Sequence, residues 1–246
     1  MTRWQAFGIH LAISLAIFVA LMGLVILVWY PQFFFVTDGG WPGVRIIVLV
    51  DLVLGPLLTL IVFRAGKPGL KLDLTLIGLF QAICLIAGTY VVYEERPIAL
   101  VYSDGQFNSM TRAELLANDV NPAVLDQFPG REPKWLMVAL PKDPSAQTII
   151  RREALAAGRS TAFLSDFYRP FDAAHPLVAD DEEPLAELEK QDDKYSNALG
   201  SFLAQQGYEA EALRFYPHAG RFNYMYLAFD RSTSEFVGLL ETPAPQ

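Results

Sequence analysis

Residues 50–63, VDLVLGPLLTLIVF, are apolar enough to lie in lipid, yet they carry Asp51 near one end and the helix-breaking pair Gly55-Pro56 in the middle. A carboxylate in hydrocarbon is costly unless it is paired, protonated or turned toward protein or water. Asp51, Gly55 and Thr59 recur every four residues, so a helix places them on one small, polar face among leucines and valines. Such faces pack helices. Three readings follow: the stripe meets Gly8, Ala12, Ala16 and Ala20, an equally regular small-residue stripe near the N-terminus; it meets a helix of another protein; or Asp51 serves as a catalytic or proton-relay group. Pro56 removes one backbone hydrogen bond, which should kink the helix and leave a carbonyl near Leu52 in need of a donor.

Working outward, the apolar stretch is the second of three segments long enough to cross a membrane, at about residues 7–30, 44–63 and 72–93. The first is too long and too poor in basic residues for a signal peptide, and VWYPQFFF offers no small-residue cleavage site, so it reads as a retained anchor. Trp4, Trp29, Tyr30, Trp41, Tyr90 and Tyr93 cluster at the span ends, where amphipathic rings prefer the headgroup layer. Arg64, Lys67 and Lys71 lie between spans two and three, whereas the loop before span two has Asp38 and no base. Basic loops stay inside. The N-terminus is therefore expected in the cytoplasm and residues 97–246 in the periplasm of a Gram-negative cell, with the inner membrane between them.

Charge divides the chain the same way. Residues 1–96 hold 6 Lys+Arg and 5 Asp+Glu, and residues 97–246 hold 13 and 22. The acidic second half excludes nucleic acid as a natural partner. Its short alternating runs predict an α+β domain: a hairpin IALVYSDGQFNSM turning at Asp104-Gly105, a helix opened by Thr111 and Glu114 as a capping box, and a strand KWLMVALP. A helix over 144–157, a strand TAFLSDFY, a helix from Pro184 to about Gln206, and closing strands ALRFYP, FNYMYLAFD and EFVGLLE complete the expectation. The fold class expected is an N-terminal three-helix transmembrane bundle, residues 1–96, followed by a mixed α/β domain, residues 97–246.

The chemistry-bearing residues are few. His10, His175 and His218 share no metal-ligand spacing, and Cys84 is alone inside an apolar run, so no metal, cofactor or disulfide is expected. Asp180, Asp181, Glu182 and Glu183 open a run with eight acids against one lysine, either a solvated lead-in to a helix or an electrostatic guide.

The segments RWQAFGIHLAIS, VWYPQFFF with the following DGGW, DLVLGPLLTLIVFRAGKPGLKLDLTLI, VVYEERPIALVYSDGQF and PKWLMVALP resemble the type IV pilin accessory proteins of the TfpX/TfpZ kind. The resemblance is nearly continuous over residues 3–107, recurs around 133–141 and is loose afterwards. It implies a non-enzymatic inner-membrane factor or chaperone that serves a cognate major pilin, alongside the lipid bilayer and other pilus assembly proteins. It brings no catalytic residues. On that expectation His10 would meet an acid of the pilin helix, Asp51, Gly55, Pro56 and Thr59 would form its docking face, and the acids at 180–183 would meet the pilin head. A membrane-anchored ligand sensor and an intramembrane enzyme using Asp51 are the competing readings.

Overall fold

The computed structural model describes residues 1–179 and 193–241. It divides into two compact units, Met1–Arg96 and Pro97–Gln246.

The first unit consists of three apolar helices long enough to cross a membrane, spanning Arg3–Trp29, Gly40–Val62 and Leu70–Glu94. Span one is an α-helix, α1 (Arg3–Leu24), capped by a reciprocal Thr2/Gln5 box and continued by a π-helical turn, Val25–Trp29. Span two is composite: α2 (Gly40–Ile47), a π-helical stretch Val48–Leu54, then α3 (Gly55–Val62) with Pro56 in its first turn. Span three is α4 (Leu70–Glu94). Span two packs against both neighbours and is the most buried of the three. At the far end of span one the Tyr30 hydroxyl donates to the Val92 carbonyl at 2.9 Å, and Trp29 meets Tyr93 edge-on, fastening span one to span three. In the loop that follows span two, Lys67 pairs with Asp73 at 2.6 Å.

The second unit is built on one seven-stranded mixed sheet. Its strands are β1 (Pro97–Ser103), β2 (Gln106–Thr111), β3 (Lys134–Val138), β4 (Tyr168–Pro170), β5 (Leu213–Ala219), β6 (Tyr224–Asp230) and β7 (Phe236–Glu241). The spatial order is β4-β3-β1-β2-β5-β6-β7, with β1/β3 and β2/β5 parallel and every other pair antiparallel. The β1-β2 hairpin turns through Asp104 and Gly105, both at positive φ, the geometry that a two-residue type I′ turn demands. Thr111 then caps α5 (Arg112–Ala117): its hydroxyl accepts the Glu114 N–H at 3.2 Å, while the Glu114 carboxylate accepts the Thr111 N–H at 2.8 Å. The helix α6 (Pro144–Ala156) starts on Asp143, which accepts from the N–H groups of Ser145 and Ala146, and Gly158 follows at φ 68°. Asp230 holds the β6-β7 turn by accepting from the Ser232 hydroxyl at 2.6 Å and the Thr233 N–H at 2.9 Å.

One face of the sheet carries two hydrophobic clusters, the first mainly aliphatic and the second mixed with aromatic rings. Ala99, Val101, Met110 and Leu136 pack with Leu115 of α5 and Ala162, while Phe215, Tyr226 and Leu240 receive Leu199 and Phe202 of α7 (Asp193–Gln206). The opposite residues of the same strands are aromatic: Tyr102, Phe107, Trp135, Tyr216 and Phe229 interlock with Phe171, with ring centroids 4.9–6.3 Å apart. The first part of the helix expected from Pro184, and with it Asp180, Asp181, Glu182 and Glu183, falls outside the described residues.

TAFLSDFY departs from the expected strand. The Ser160 side chain takes the Ala162 N–H, and Phe163, Leu164 and Phe167 bond three residues back to Ser160, Thr161 and Leu164. These donors are unavailable to a ladder, so two 3₁₀ turns form and strand pairing begins only at Tyr168. The Tyr168 hydroxyl donates to the Ala162 carbonyl at 2.7 Å, and burial pushes its ionisation above the ordinary tyrosine range.

His218 on β5 is fully buried, and that burial pushes its pKa down to about 4. Below pH 6.5 the unfolded chain binds a proton at this site that the folded chain refuses until about pH 4. Stability therefore falls as pH falls through that window, by about 2 kcal/mol between pH 7 and 5 for this one group. Thermal midpoints of the detergent-solubilised protein should show this loss, and His218→Gln should flatten the dependence while lowering the midpoint at pH 7.

Candidate functional site

The polar side chains of the three apolar helices converge on the middle of span two. Gly55 N–H bonds to the Val50 carbonyl, five residues back, so the backbone enters Pro56 in π register. In that register the carbonyl orphaned by the proline belongs to Asp51, one residue before the position expected from α-helical spacing. Gln81 of α4 supplies the missing donor. Its Nε2 lies 3.4 Å from the Asp51 carbonyl oxygen and 3.2 Å from Asp51 Oδ1. Gly55 makes the approach possible, because a Cβ there would lie 1.8 Å from Gln81 Nε2. Asp51, Gly55, Pro56, Thr59 and Gln81 are all buried.

Span one closes the other side. His10 Nδ1 and Thr59 Oγ1 are 2.6 Å apart, and Ser14, one turn along α1, is buried beside the Asp51 carboxylate. The face of α1 turned toward span two is thus Ala6, His10 and Ser14. Gly8, Ala12, Ala16 and Ala20 lie on the exposed side, because the hydrogen bond of His10 fixes the rotation of the helix. Spans two and three also approach closely at Gly43, where a Cβ would meet Val92 at 2.5 Å, and at Gly88 opposite Ile47.

A relative from Dichelobacter nodosus, named as a fimbrial assembly protein of serogroups C1 and C2, is 32% identical over 119 residues, which are 47% of this chain and 90% of that protein. The chain belongs to the fimbrial assembly protein family. The family model described as fimbrial assembly protein FimB matches residues 1–34, which are span one and the start of the turn after it. A second Dichelobacter nodosus relative, the fimbrial assembly protein of serogroup I, is 32% identical over 124 residues, 49% of this chain and 48% of that protein. A third, of serogroup E1, has the same coverage, so the chain spans about half the length of these two curated relatives. No solved structure matches the chain. Membership agrees with the resemblance to pilin accessory proteins read from the sequence.

The second unit presents a cleft of about 60 Å³ beside the ends of β1 and β3, lined by Ser103, Asp104, Gln147, Arg151 and Thr161 together with the apolar Met137, Val138 and Leu140. Asp104 is engaged there by both Arg151 and Thr161. Sites for small molecules usually enclose about 300–1,000 Å³. Among the described residues no group of three or more His, Cys, Asp or Glu is arranged to hold a metal ion. Sequence reasoning singled out Asp51, Gly55, Pro56 and Thr59, and Gln81 of span three completes the site. The signal for it was a lone amide in an otherwise apolar span.

Gly55→Ala forces the Gln81 amide to withdraw, breaking both donations to Asp51. The protein should lose about 1–2 kcal/mol, read as a lower unfolding midpoint in detergent. In a Gln81→Ala background the same substitution should cost little, and this non-additivity identifies the amide as the cause.

Proposed function

We propose that this protein is an inner-membrane accessory factor of type IV pilus assembly that binds a cognate major pilin, helix against helix in the membrane and domain against domain outside it. The observation that carries this reading is the family match over span one, the helix that closes the bundle with one side and leaves the other exposed. The names of the relatives supply fimbrial assembly as the process. A pilin awaiting assembly is itself a membrane-crossing helix with an exported head, which suits a three-helix anchor joined to an α/β unit.

Orientation follows the basic loop at Arg64, Lys67 and Lys71, which puts the N-terminus in the cytoplasm and residues 97–246 in the periplasm. Of the residues assigned from sequence to the pilin helix, Asp51, Gly55, Pro56 and Thr59 are covered by the chain's own helices and act by shaping the bundle, whereas His10 keeps partial exposure. The side of span one open to a foreign helix is that of Gly8, Ala12, Ala16 and Ala20. Small side chains there allow the close approach on which helix association in lipid depends. The acids from Asp180 to Glu183 would guide the pilin head. Such a protein works by binding, and the cleft at Asp104 is small for a sensor's ligand.

Purification from cells making the neighbouring pilin should bring that pilin along, and its level should fall when this chain is deleted. Photo-crosslinkers at Ala12 and Ala16 should capture pilin, while one at Thr59 should capture span one of the same molecule. Failure of both the co-purification and the drop in pilin level overturns the reading.

A further inference from the structure

Two buried oxygens in the bundle lack a hydrogen-bond partner, Asp51 Oδ2 and Gln81 Oε1. They belong to the two side chains already joined through Gln81 Nε2 and Asp51 Oδ1, and these side chains are on residues only 5% and 6% exposed. An amide donates through nitrogen and accepts through oxygen, whereas an ionised carboxylate only accepts. With Asp51 ionised, the pair makes one bond and strands an acceptor on each partner. Reversing the amide does not help, since Gln81 Oε1 would then meet the Asp51 carbonyl and carboxylate oxygens with nothing to donate.

One proton resolves both orphans. Placed on Asp51 Oδ2, it turns the carboxylate into an acid whose O–H donates to Gln81 Oε1, while Gln81 Nε2–H continues to donate to Asp51 Oδ1. We propose that Asp51 and Gln81 form a proton-holding clasp between spans two and three, a carboxylic acid paired with a carboxamide by two parallel hydrogen bonds. The ligand of this site is a proton. The surroundings suit a neutral pair: the gap beside Asp51 is lined by Ile46, Ile47, Val50, Leu85 and Gly88, with the Cys84 thiol its other titratable neighbour on span three. Two groups of span one work against the neutral pair, His10, whose ring is engaged by Thr59, and the Ser14 hydroxyl, a donor beside the same carboxylate; burial between apolar helices is the larger influence. Arg45, the nearest cation along span two, lies on an exposed face. Loss of the proton would leave a charge between packed apolar helices and one bond where there were two, so proton occupancy sets how tightly span three is held. The clasp is independent of any pilin contact.

Infrared difference spectra of the full protein in lipid nanodiscs, taken against Asp51→Asn, test it directly. At neutral pH the wild type should show the C=O band of a protonated carboxyl, absent from Asp51→Asn and shifted in Gln81→Leu. Asparagine can donate where the acid did, so Asp51→Asn should keep the wild-type unfolding midpoint, while Asp51→Leu and Gln81→Leu should fall by on the order of 2–4 °C. Absence of the carboxyl band, or an Asp51→Asn midpoint as low as that of Asp51→Leu, overturns the proposal. The spectrum of the wild type decides the question even if a variant fails to fold.

Discussion

Hydrocarbon offers no water to an unpaired peptide group, and that single constraint organises the membrane unit. Pro56 removes a donor in the middle of span two; the π-helical stretch before it shifts the deficit onto the Asp51 carbonyl; and Gln81, admitted by the missing side chain of Gly55, makes it good. Each of the four residues is awkward in a lipid-embedded helix when taken alone. Together they fix the spacing and register of spans two and three. His10 and Thr59 do the same for span one, so the rotation of each helix about its axis is set by polar contacts while its apolar remainder stays free to face lipid.

The second unit solves a different problem. Without a disulfide it must fold by burial alone, and it does so on both faces of one sheet. Neighbouring residues of β1, β3, β5 and β6 point to opposite faces, so each strand contributes to a hydrophobic cluster on one side and to the interlocked rings on the other. Edge-to-face contacts add a directional preference that aliphatic packing lacks. His218, a neutral polar group within that sheet, ties the unit's stability to pH.

Much of this is legible in the sequence because the signals are local. The three spans, the Asp104-Gly105 hairpin, the Thr111/Glu114 box and the last two strands depend on residues within a few positions of one another. The TAFLSDFY segment misleads because its alternation imitates a strand, while Ser160 and the turns after it take the backbone donors first. Register inside span two is likewise invisible to spacing. An α-helical reading puts the orphan carbonyl near Leu52, and only the three-dimensional path reveals that the bonds there reach five residues back instead of four. The exposed position of Gly8, Ala12, Ala16 and Ala20 follows from His10 finding Thr59, a contact between residues 49 positions apart that no local pattern announces.

The order of synthesis gives the Gln81 contact a further meaning. A ribosome delivers span two before span three, so the nascent chain reaches the bilayer with the Asp51 carbonyl still lacking its amide donor. Until residue 81 emerges, that half-made hairpin is a poor solute for lipid, and the third helix removes the deficit when it arrives.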